Sequence, residues 1–369
     1  MNAVIVRVAR REDDAQIRAV LARNAMPGAM ALAFAHEPSF FDAIEVEGYD
    51  PQVIVGERDG YVVGTGLMAR RKVYLNGQPT EIGYLSSLRA DTSIRGTTAL
   101  VRGYRLLQRL HTAQPTIPFY LSTIMEENTV ARDILTSERA GLPTYHEIGQ
   151  YHTLAIPVIR RRKSTLPAGV RIVTGRAVGS EAIATFLQEI GPHRQCFPIY
   201  TAQDFTQSTG VLRGLALDDI FVAVAGDTIA GTLACWNQLP FRQHIVAGYH
   251  GIFAWIRPGI NMVSSLFGCR LLPDHDSPVR CRLGACLAIR DDDPAILRAL
   301  LRHVLCAEES RDYDYLFIGM AVNDPLLPTA GEPWHLTLRS RVYAVSWHDG
   351  GNAKCALDGR IPYLELGSL

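Results

Sequence analysis

The stretch Glu81–His111, EIGYLSSLRADTSIRGTTALVRGYRLLQRLH, contains a strand pattern, a polar turn and a helix pattern in succession. Its first residues suit a half-buried strand by their type and spacing. From Leu100 onward, apolar residues recur every three or four positions, which predicts a helix. The turn between them is Ser93–Thr98, where the hydroxyl of Thr97 or Thr98 can cap the helix. The stretch therefore predicts a strand–turn–helix unit.

This turn has the chemistry of an anion site. The first amides of a helix lack partners within the helix, and the helix dipole favours negative charge at that end. Gly96 lets a ligand approach the backbone closely, and Arg95 adds a positive charge at the entrance. These features favour phosphate or pyrophosphate, although an ordinary capped helix has the same pattern.

Length and composition limit the function classes. A chain of 369 residues predicts two or three domains. Because 37 basic residues balance 37 acidic ones, nothing favours nucleic acid or an anionic membrane as partner. The sequence has no leader pattern and no apolar run of about 18 residues, which predicts a cytoplasmic protein without a transmembrane segment. The seven cysteines lack a CxxC pair, which predicts reduced thiols and no metal site.

The first half reads as a meander followed by a crossover. Asp59-Gly60 and Asn76-Gly77 are hairpin signals that join three strands. The elements predicted after the opening helix are a strand Phe119–Ile124, a helix that begins at Asn128 and stops at Gly141, and two closing strands at 145–147 and 151–155. A strand–helix–strand order within one sheet predicts a parallel crossover.

The second half repeats this order, which indicates a weak internal duplication. Its predicted elements are strands at 170–174, 220–225, 228–236, 279–289, 315–320 and 336–347, and helices at 180–190 and 294–307. The basic segment 160–168 is interpreted as a linker, so that 1–159 and 169–369 form two domains. The apolar stretch 241–272 is an insertion in the second domain, either a lid or pocket wall or a packing surface at the domain junction.

The turn and the later helix together resemble the GNAT acyltransferases. The family signature is an Arg/Gln-x-x-Gly-x-Gly/Ala turn, followed by an Asn-x-x-Ala helix after the next strand. This chain has Arg95-Gly96-Thr97-Thr98-Ala99-Leu100, in which Thr98 and Leu100 replace small residues, and Asn128-Thr129-Val130-Ala131, which fits better. The resemblance covers residues 4–156, whereas 169–348 agree in element order only. It implies an α/β fold of two GNAT-like domains in tandem, each a mixed, mostly antiparallel sheet flanked by helices, with a degenerate second copy.

The resemblance also implies a cofactor site. Acetyl-CoA or another acyl-CoA would lie where the fourth and fifth strands diverge, and a small-molecule or peptide amine would accept the acyl group. Amides at a helix start suit pyrophosphate whatever their side chains. The cofactor-binding residues predicted in this way are Leu88, Ala90, Arg95, Gly96, Thr97, Thr98, Ala99, Leu100 and Asn128.

Direct acyl transfer to an amine needs a base for the amine, an acid for the thiolate and stabilisation of the carbonyl oxygen. Glu81, Tyr84 and Glu126 are candidate bases, although each also has an ordinary structural interpretation. The usual acid, a tyrosine in the Asn-x-x-Ala helix, is Leu135 here, so Tyr151, Tyr145 or water is expected to replace it. The predicted catalytic residues are Glu81, Tyr84, Glu126 and Tyr151.

The second half has Arg290-Asp291-Asp292-Asp293-Pro294 in place of a basic glycine turn. Three carboxylates suit a helix start but repel pyrophosphate, so the second domain is not expected to bind CoA. The leading prediction is an N-acetyltransferase with its site in the first domain. A non-catalytic acyl-CoA sensor and a ligand-free structural protein are the alternatives, and a homo-oligomer stays open.

Overall fold

The computed structural model describes residues 3–26, 28, 30–113, 117–158, 166–265, 272–306, 312–347 and 357–369. The strands are β1 (Ile5–Val8), β2 (Met30–Ala35), β3 (Tyr49–Arg58), β4 (Tyr61–Leu75), β5 (Gln78–Ala90), β6 (Tyr120–Met125), β7 (Thr144–Pro157), β8 (Val170–Thr174), β9 (Phe197–Pro198), β10 (Ile220–Ala225), β11 (Thr228–Trp236), β12 (Gln243–Tyr249), β13 (Cys281–Ile289), β14 (Tyr315–Ala321) and β15 (Leu336–Ser346). The helices are α1 (Asp14–Arg23), α2 (Phe40–Ala43), α3 (Ala99–Thr112), α4 (Thr129–Leu135), α5 (Gly175–Val178), α6 (Ser180–Ile190), α7 (Ile252–Ser265), α8 (Pro294–Cys306) and α9 (Leu327–Ala330).

One large mixed sheet runs through both halves in the order β1-β3-β4-β5-β6-β15-β7-β14-β13-β11-β10-β8, with the short β9 paired to β4. Helices flank it, which confirms the predicted α/β class. The last strand, β15, was expected to close the sheet, but it is inserted between β6 and β7 of the first half. The segments 1–159 and 169–369 therefore share one sheet. The basic residues of the predicted linker, at 160–163, lie outside the described residues.

The two closing strands predicted at 145–147 and 151–155 are in fact one strand, β7. The error has a physical reason. Opposite β15, the register jumps between Val342, which faces Gly149, and Tyr343, which faces Glu147. Ile148 is thus an extra residue, and a bulge of this kind breaks the alternation by which a strand is read from sequence.

The opening stretch folds as predicted, into β5, a short turn and α3. The first helical residue is Ala99, whose amide donates to the Thr97 hydroxyl at 3.3 Å. That hydroxyl in turn donates to the carbonyl oxygen of Ile94 at 2.7 Å. Thr97 rather than Thr98 therefore supplies the capping side chain. β5 and β6 are parallel, as the crossover predicted.

The elements β2, β12 and α7 are missing from the sequence prediction. β12 and α7 lie inside the stretch 241–272, of which residues 266–271 are outside the described part. β12 pairs antiparallel with β2, and Val246 faces Leu32. Both of these residues are buried in the core with Trp236 of the large sheet. A strand from each half thus forms a second sheet that covers one face of the first.

Two strands carry the same bulge. In β5, Ser86 pairs with Leu67 and Arg89 with Thr65, so that Ser87 and Leu88 both face Gly66. In β13, Cys286 and Leu287 form the equivalent bulge, opposite the register shift between Thr232 and Ala234 of β11. The first bulge residue has a positive φ in each case, 52° at Ser87 and 48° at Cys286.

Each bulged strand diverges from its parallel neighbour. β5 pairs with β6 only at Gly83 and Tyr84, and β13 pairs with β14 only through residues 281–283. Two V-shaped openings result. We call the gap between residues 85–90 and 122–125 the N-terminal opening, and the gap between residues 284–289 and 318–321 the C-terminal opening. Together they position the sites described below.

Candidate active site

The N-terminal opening offers a free strand edge. The amide of Asp91 donates to Val63 of β4 at 2.9 Å. Because strand amides alternate in direction, those of Leu88 and Ala90 point away from β4 and into the opening. The Leu88 side chain beside them is 36% exposed. The structure therefore places the backbone of these two predicted residues where a linear ligand could pair with it.

The turn at the end of the opening presents free amides. Gly96 has φ +74°, and a Cβ added to it would meet no atom within 4 Å. The amides of Thr98 and Leu100 make no hydrogen bond to another described residue, and Thr98 is exposed. Arg95 stays near this turn, since its Nε donates to Ala90 at 3.2 Å and its Nη2 to Asn24 Oδ1 at 3.3 Å. Of the predicted turn residues, Arg95, Gly96, Thr98 and Leu100 thus contribute to one cationic surface with free donors, whereas Ala99 is buried and the amides of Thr97 and Ala99 donate within the turn.

Asn128 has a structural role in this conformation. Its side-chain oxygen accepts from the amide of Ala131 at 3.2 Å and so caps α4. Leu135 is buried, and it occupies the position at which the family that the sequence resembles usually has a tyrosine acid. The helix after β6 therefore begins where the sequence predicts, and its far end contributes an apolar contact.

The four predicted catalytic residues do not form one site: Tyr84 and Tyr151 belong to the same buried apolar cluster, whereas Glu81 and Glu126 are engaged in separate ion pairs. Tyr84 is buried at the base of the N-terminal opening, and Tyr151 is buried beside the C-terminal opening, where its hydroxyl donates to Leu364 at 2.9 Å. Glu81 lies before the point where β5 and β6 pair, 3.7 Å from a guanidinium nitrogen of Arg70. Glu126 follows β6, and its carboxylate lies 3.1 Å from the guanidinium of Arg341.

A buried charged cluster that was not predicted from the sequence lies next to Tyr84. Its centre is Glu47, which is 1% exposed and ends a short 3₁₀ helix before β3. The carboxylate accepts a hydrogen bond from the Ser86 hydroxyl and lies 3.4 Å from Nη2 of Arg242. Arg71 donates through Nε to the main-chain oxygen of Glu47 at 2.7 Å. No motif marks Glu47, since its partners are 39 and 195 positions away.

Burial and charge set the protonation of this cluster. The guanidinium of Arg71 lies 3.6 Å from the ring centroid of Tyr84. Burial raises the pKa of Tyr84, with nearby Arg71 opposing the shift, so its hydroxyl is protonated at neutral pH. Tyr84 is therefore a neutral hydrogen-bond donor and not a phenolate base.

The C-terminal opening is filled by the protein itself. Glu365 is buried, and its Oε2 accepts from the bulge amide of Cys286 at 2.9 Å. The hydroxyl of Tyr363 accepts from the next amide, Leu287, at 3.1 Å. Burial raises the pKa of Glu365. The cavity that remains there has a volume of about 30 Å³, which is enough for a water molecule and far too small for a nucleotide cofactor.

The start of α8 is closed as well. The Asp293 carboxylate accepts from the amide of Ala295 at 2.8 Å and so caps this helix. Asp292 pairs with Arg194 of the loop after α6. The acidic turn that was predicted to repel pyrophosphate thus supplies a hydrogen-bond acceptor for the first amides of α8.

The chain's last described segment links the two openings. From Glu365 in the C-terminal opening it continues to the charged cluster, where the main-chain oxygens of Gly367 and Leu369 accept from Arg242 at 3.2 and 2.7 Å. The main-chain oxygen of Ser368 accepts from Arg71. Arg71 and Arg242 are therefore each held by at least two hydrogen bonds to the protein. Within the described residues, no group of three or more His, Cys, Asp or Glu side chains could hold a metal ion.

Solved structures of GCN5-related N-acetyltransferases and of an N-myristoyltransferase share this architecture. A GCN5-related glucosamine N-acetyltransferase region of a fungal multi-domain β-N-acetylglucosaminidase matches 94% of this chain with TM-score 0.62 and 13% identity, and the match spans 38% of the fungal chain. A GCN5-related N-acetyltransferase from Sphaerobacter thermophilus matches 99% of this chain and 98% of its own, with TM-score 0.55 and 12% identity. Saccharomyces cerevisiae N-myristoyltransferase, solved with myristoyl-CoA, matches 94% and 83%, with TM-score 0.57 and 10% identity.

These similarities show that the chain has the same fold as GCN5-related N-acetyltransferases, as the resemblance implied. At 10–13% identity they speak to the fold alone. Neither a protein-family model nor a curated protein sequence matches the chain. Among the described helices, none has the length and apolar character needed to span a membrane.

Proposed function

We propose that this protein moves an acetyl or other acyl group from CoA to a primary amine, and that the N-terminal opening holds the acyl-CoA. The proposal rests on the contrast between the two openings. The C-terminal opening is occupied by Tyr363 and Glu365, whereas, among the described residues, β5 has no strand partner on the β6 side after Tyr84 and the amides of Thr98 and Leu100 have no hydrogen-bond partner. We interpret the repeated bulge and divergence as a tandem arrangement in which only the first copy binds CoA.

The C-terminal opening suggests how the carbonyl oxygen would be held. There, a bulge amide donates to a carboxylate oxygen of Glu365 at 2.9 Å, and that oxygen stands in for a negatively charged reaction oxygen. By register, Ser87 and Leu88 are the equivalent amides of the N-terminal opening. A thioester oxygen placed there would gain the same donors as negative charge develops on it.

Glu47 is the base that the geometry favours. In the proposed reaction, the amine nitrogen attacks the thioester carbon, the carbon–sulfur bond breaks and the thiolate leaves. The proton lost by the amine passes to Glu47, directly or through the Ser86 hydroxyl that donates to it. Tyr84, whose hydroxyl is protonated at neutral pH, is the group beside this cluster that can donate a hydrogen bond to the leaving thiolate, which water can then protonate. The roles predicted for Glu81, Glu126 and Tyr151 stay predictions.

One observation favours a second candidate, an acyl-CoA sensor that does not turn over. The position of the usual tyrosine acid is occupied by the buried Leu135, and Tyr151 lies beside the other opening. A protein that has free groups for binding acyl-CoA but lacks an acid near the thiol could bind acyl-CoA without cleaving it.

Release of free thiol from acetyl-CoA, measured with a panel of primary amines, separates these functions. Amine-dependent release supports acyl transfer. A thermal shift with acetyl-CoA but without thiol release would favour the sensor. If neither acetyl-CoA nor longer acyl-CoAs bind or react, the proposal is wrong and the fold serves another purpose.

A further inference from the structure

Arg89 is a cation without a carboxylate partner within the described residues. It follows the β5 bulge, and its Nη1 donates a hydrogen bond to the main-chain oxygen of Leu88 at 2.9 Å. Its Nε is buried and has no hydrogen-bond partner. The guanidinium lies 5.5 Å from the ring centroid of Phe34. A guanidinium carries five donors, so most of those of Arg89 are unused.

The other arginines of this region differ from Arg89. Arg71 donates to the main chain at Glu47 and Ser368, and Arg242 donates to Gly367, Glu47 and Leu369. These two guanidinium groups are held by the protein and serve its structure. Of the three, Arg89 has the fewest donors engaged by the protein, with one main-chain hydrogen bond and no carboxylate, so it is the group to which an external anion would bind most readily.

The wall that faces Arg89 comes from the second sheet. Phe34 of β2 and His244 of β12 are directly opposed, with ring centroids 4.8 Å apart. His36 is buried behind them, and neither of its ring nitrogens has a hydrogen-bond partner. Burial lowers the pKa values of both histidines, that of His244 to about 4, and the nearby arginines reinforce the shift. The histidines are therefore neutral at pH 7, and the positive charge of this wall comes from arginine.

The charges of the cleft do not balance. Among the described side chains at the N-terminal opening there are three guanidinium groups, from Arg71, Arg89 and Arg242, and one carboxylate, from Glu47, while the last residue, Leu369, also places an oxygen on Arg242. The Glu47 charge acts on Arg89 as well as on Arg71. Free donors beside an aromatic ring, in a cleft with excess positive charge, suit a carboxylate attached to an apolar group.

We infer that the acceptor of the proposed reaction is an amine that also bears a carboxylate, and that Arg89 binds this carboxylate while Glu47 faces the amine. This inference rests on the proposed function. An amino acid with an apolar side chain has the required chemistry. Its carboxylate would lie on Arg89, and its side chain against Phe34 and the exposed Leu88.

The test compares L-phenylalanine with L-phenylalaninamide as acceptors of acetyl-CoA, in the wild type and in Arg89→Gln. The wild type is expected to prefer the free acid. Arg89→Gln should reduce the ratio of the two kcat/KM values by about 10-fold to 100-fold, the usual effect of losing charge-assisted hydrogen bonds. Because both proteins are measured with both amines, comparing the ratio between the two proteins removes the effect of the different basicities of the amines. Arg176→Gln, at an exposed arginine that pairs with Asp218, is the matched control and should keep the wild-type ratio.

A second readout needs no turnover. Binding of 3-phenylpropionate and of 3-phenylpropionamide is measured by calorimetry on the full chain without CoA. The wild type should bind the acid more tightly, and Arg89→Gln should abolish the difference. If this holds while no amine releases thiol, the anion site stands and acyl transfer fails. If amines react but the acid and amide are used equally, acyl transfer stands and the anion site fails.

The remaining outcome concerns the acyl donor, CoA. Arg89 could in principle serve a phosphate of CoA, so the affinity for 3′,5′-ADP is measured in the same variants. Unchanged affinity in Arg89→Gln supports an acceptor site. A loss of 3′,5′-ADP binding as large as the loss of 3-phenylpropionate binding overturns the inference.

Discussion

Replacement of Glu47 by glutamine tests the proposed base. The change keeps the shape of the side chain and an oxygen that can accept from Ser86, but removes the negative charge. A positioned general base typically contributes about 10²-fold to 10⁴-fold to the rate. We expect Glu47→Gln to lower kcat for amine-dependent thiol release within this range and to leave the KM for acetyl-CoA nearly unchanged, because the cofactor contacts lie elsewhere.

The same substitution has a cost in stability. Glu47 is 1% exposed and lies 3.4 Å from Arg242, so its removal leaves a buried guanidinium without its charge partner. Breaking a buried pair costs about 3–5 kcal/mol, and the retained acceptor places this variant toward the lower end. Thermal unfolding must therefore accompany the kinetics, so that a lower rate is measured on folded protein.

The structure provides a matched control in Glu365. This buried carboxylate accepts from the bulge amide of the C-terminal opening, whereas Glu47 accepts from the hydroxyl of Ser86, the residue before the N-terminal bulge. Glu365→Gln is expected to alter stability but to retain turnover. Glu126→Gln should lower kcat less than Glu47→Gln, since Arg341 already engages the Glu126 carboxylate. Wild-type kcat in folded Glu47→Gln would refute the assignment of the base.

Two further predictions concern stability. Burial lowers the pKa values of His36 and His244 in the folded state, so the unfolded chain binds more protons below about pH 6.5. The free energy of unfolding should therefore fall as the pH drops from there toward about 4. Denaturant unfolding across this range should show a smaller fall in His36→Phe, and an equal fall would show that the buried histidine is not the cause. In Gly83→Ala, the new Cβ would lie 1.9 Å from the Tyr120 ring, so a loss of about 1–3 kcal/mol or more is expected by denaturant unfolding, whereas Gly103→Ala, with 3.4 Å to its nearest atom, should be tolerated. Equal effects of the two alanines would show that the close approach is not the cause.

Local patterns were sufficient for most elements. The strand–turn–helix of residues 81–111, the cap at Asn128 and the parallel crossover follow from periodicity, capping chemistry and chain order, and all three are observed. These signals lie within a few residues of each other, which is why one sequence can reveal them.

The wrong or missing predictions concern elements whose pairing partners lie far away in the sequence. β15 pairs with β6 and β7 of the other half, and no local pattern specifies that insertion. Ile148 interrupts the alternation of β7 through a bulge that is visible only against its partner strand. The same holds for β2 and β12, which form a sheet from segments more than 200 residues apart.

The candidate site divides in the same way. The turn at Arg95 and Gly96 could be predicted because a glycine turn before a helix has a local signature, and its role as an anion site stays a prediction. Glu47 and Arg242 could not, because their meaning depends on burial and on contacts with Ser86 and with each other across the fold. Charged residues of this kind look like solvated surface in a sequence.

The most direct test of the central claim is the thermal shift produced by excess acetyl-CoA in the wild type, Thr98→Glu and Pro294→Glu. Both substitutions put a carboxylate at an exposed helix start, the first at α3 and the second at α8. At 100 times the dissociation constant, a ligand stabilises the folded state by about 2.7 kcal/mol. The proposed site predicts a shift in the wild type that persists in Pro294→Glu and disappears in Thr98→Glu. A shift that survives in Thr98→Glu but is lost in Pro294→Glu, or no shift with any acyl-CoA, would contradict it.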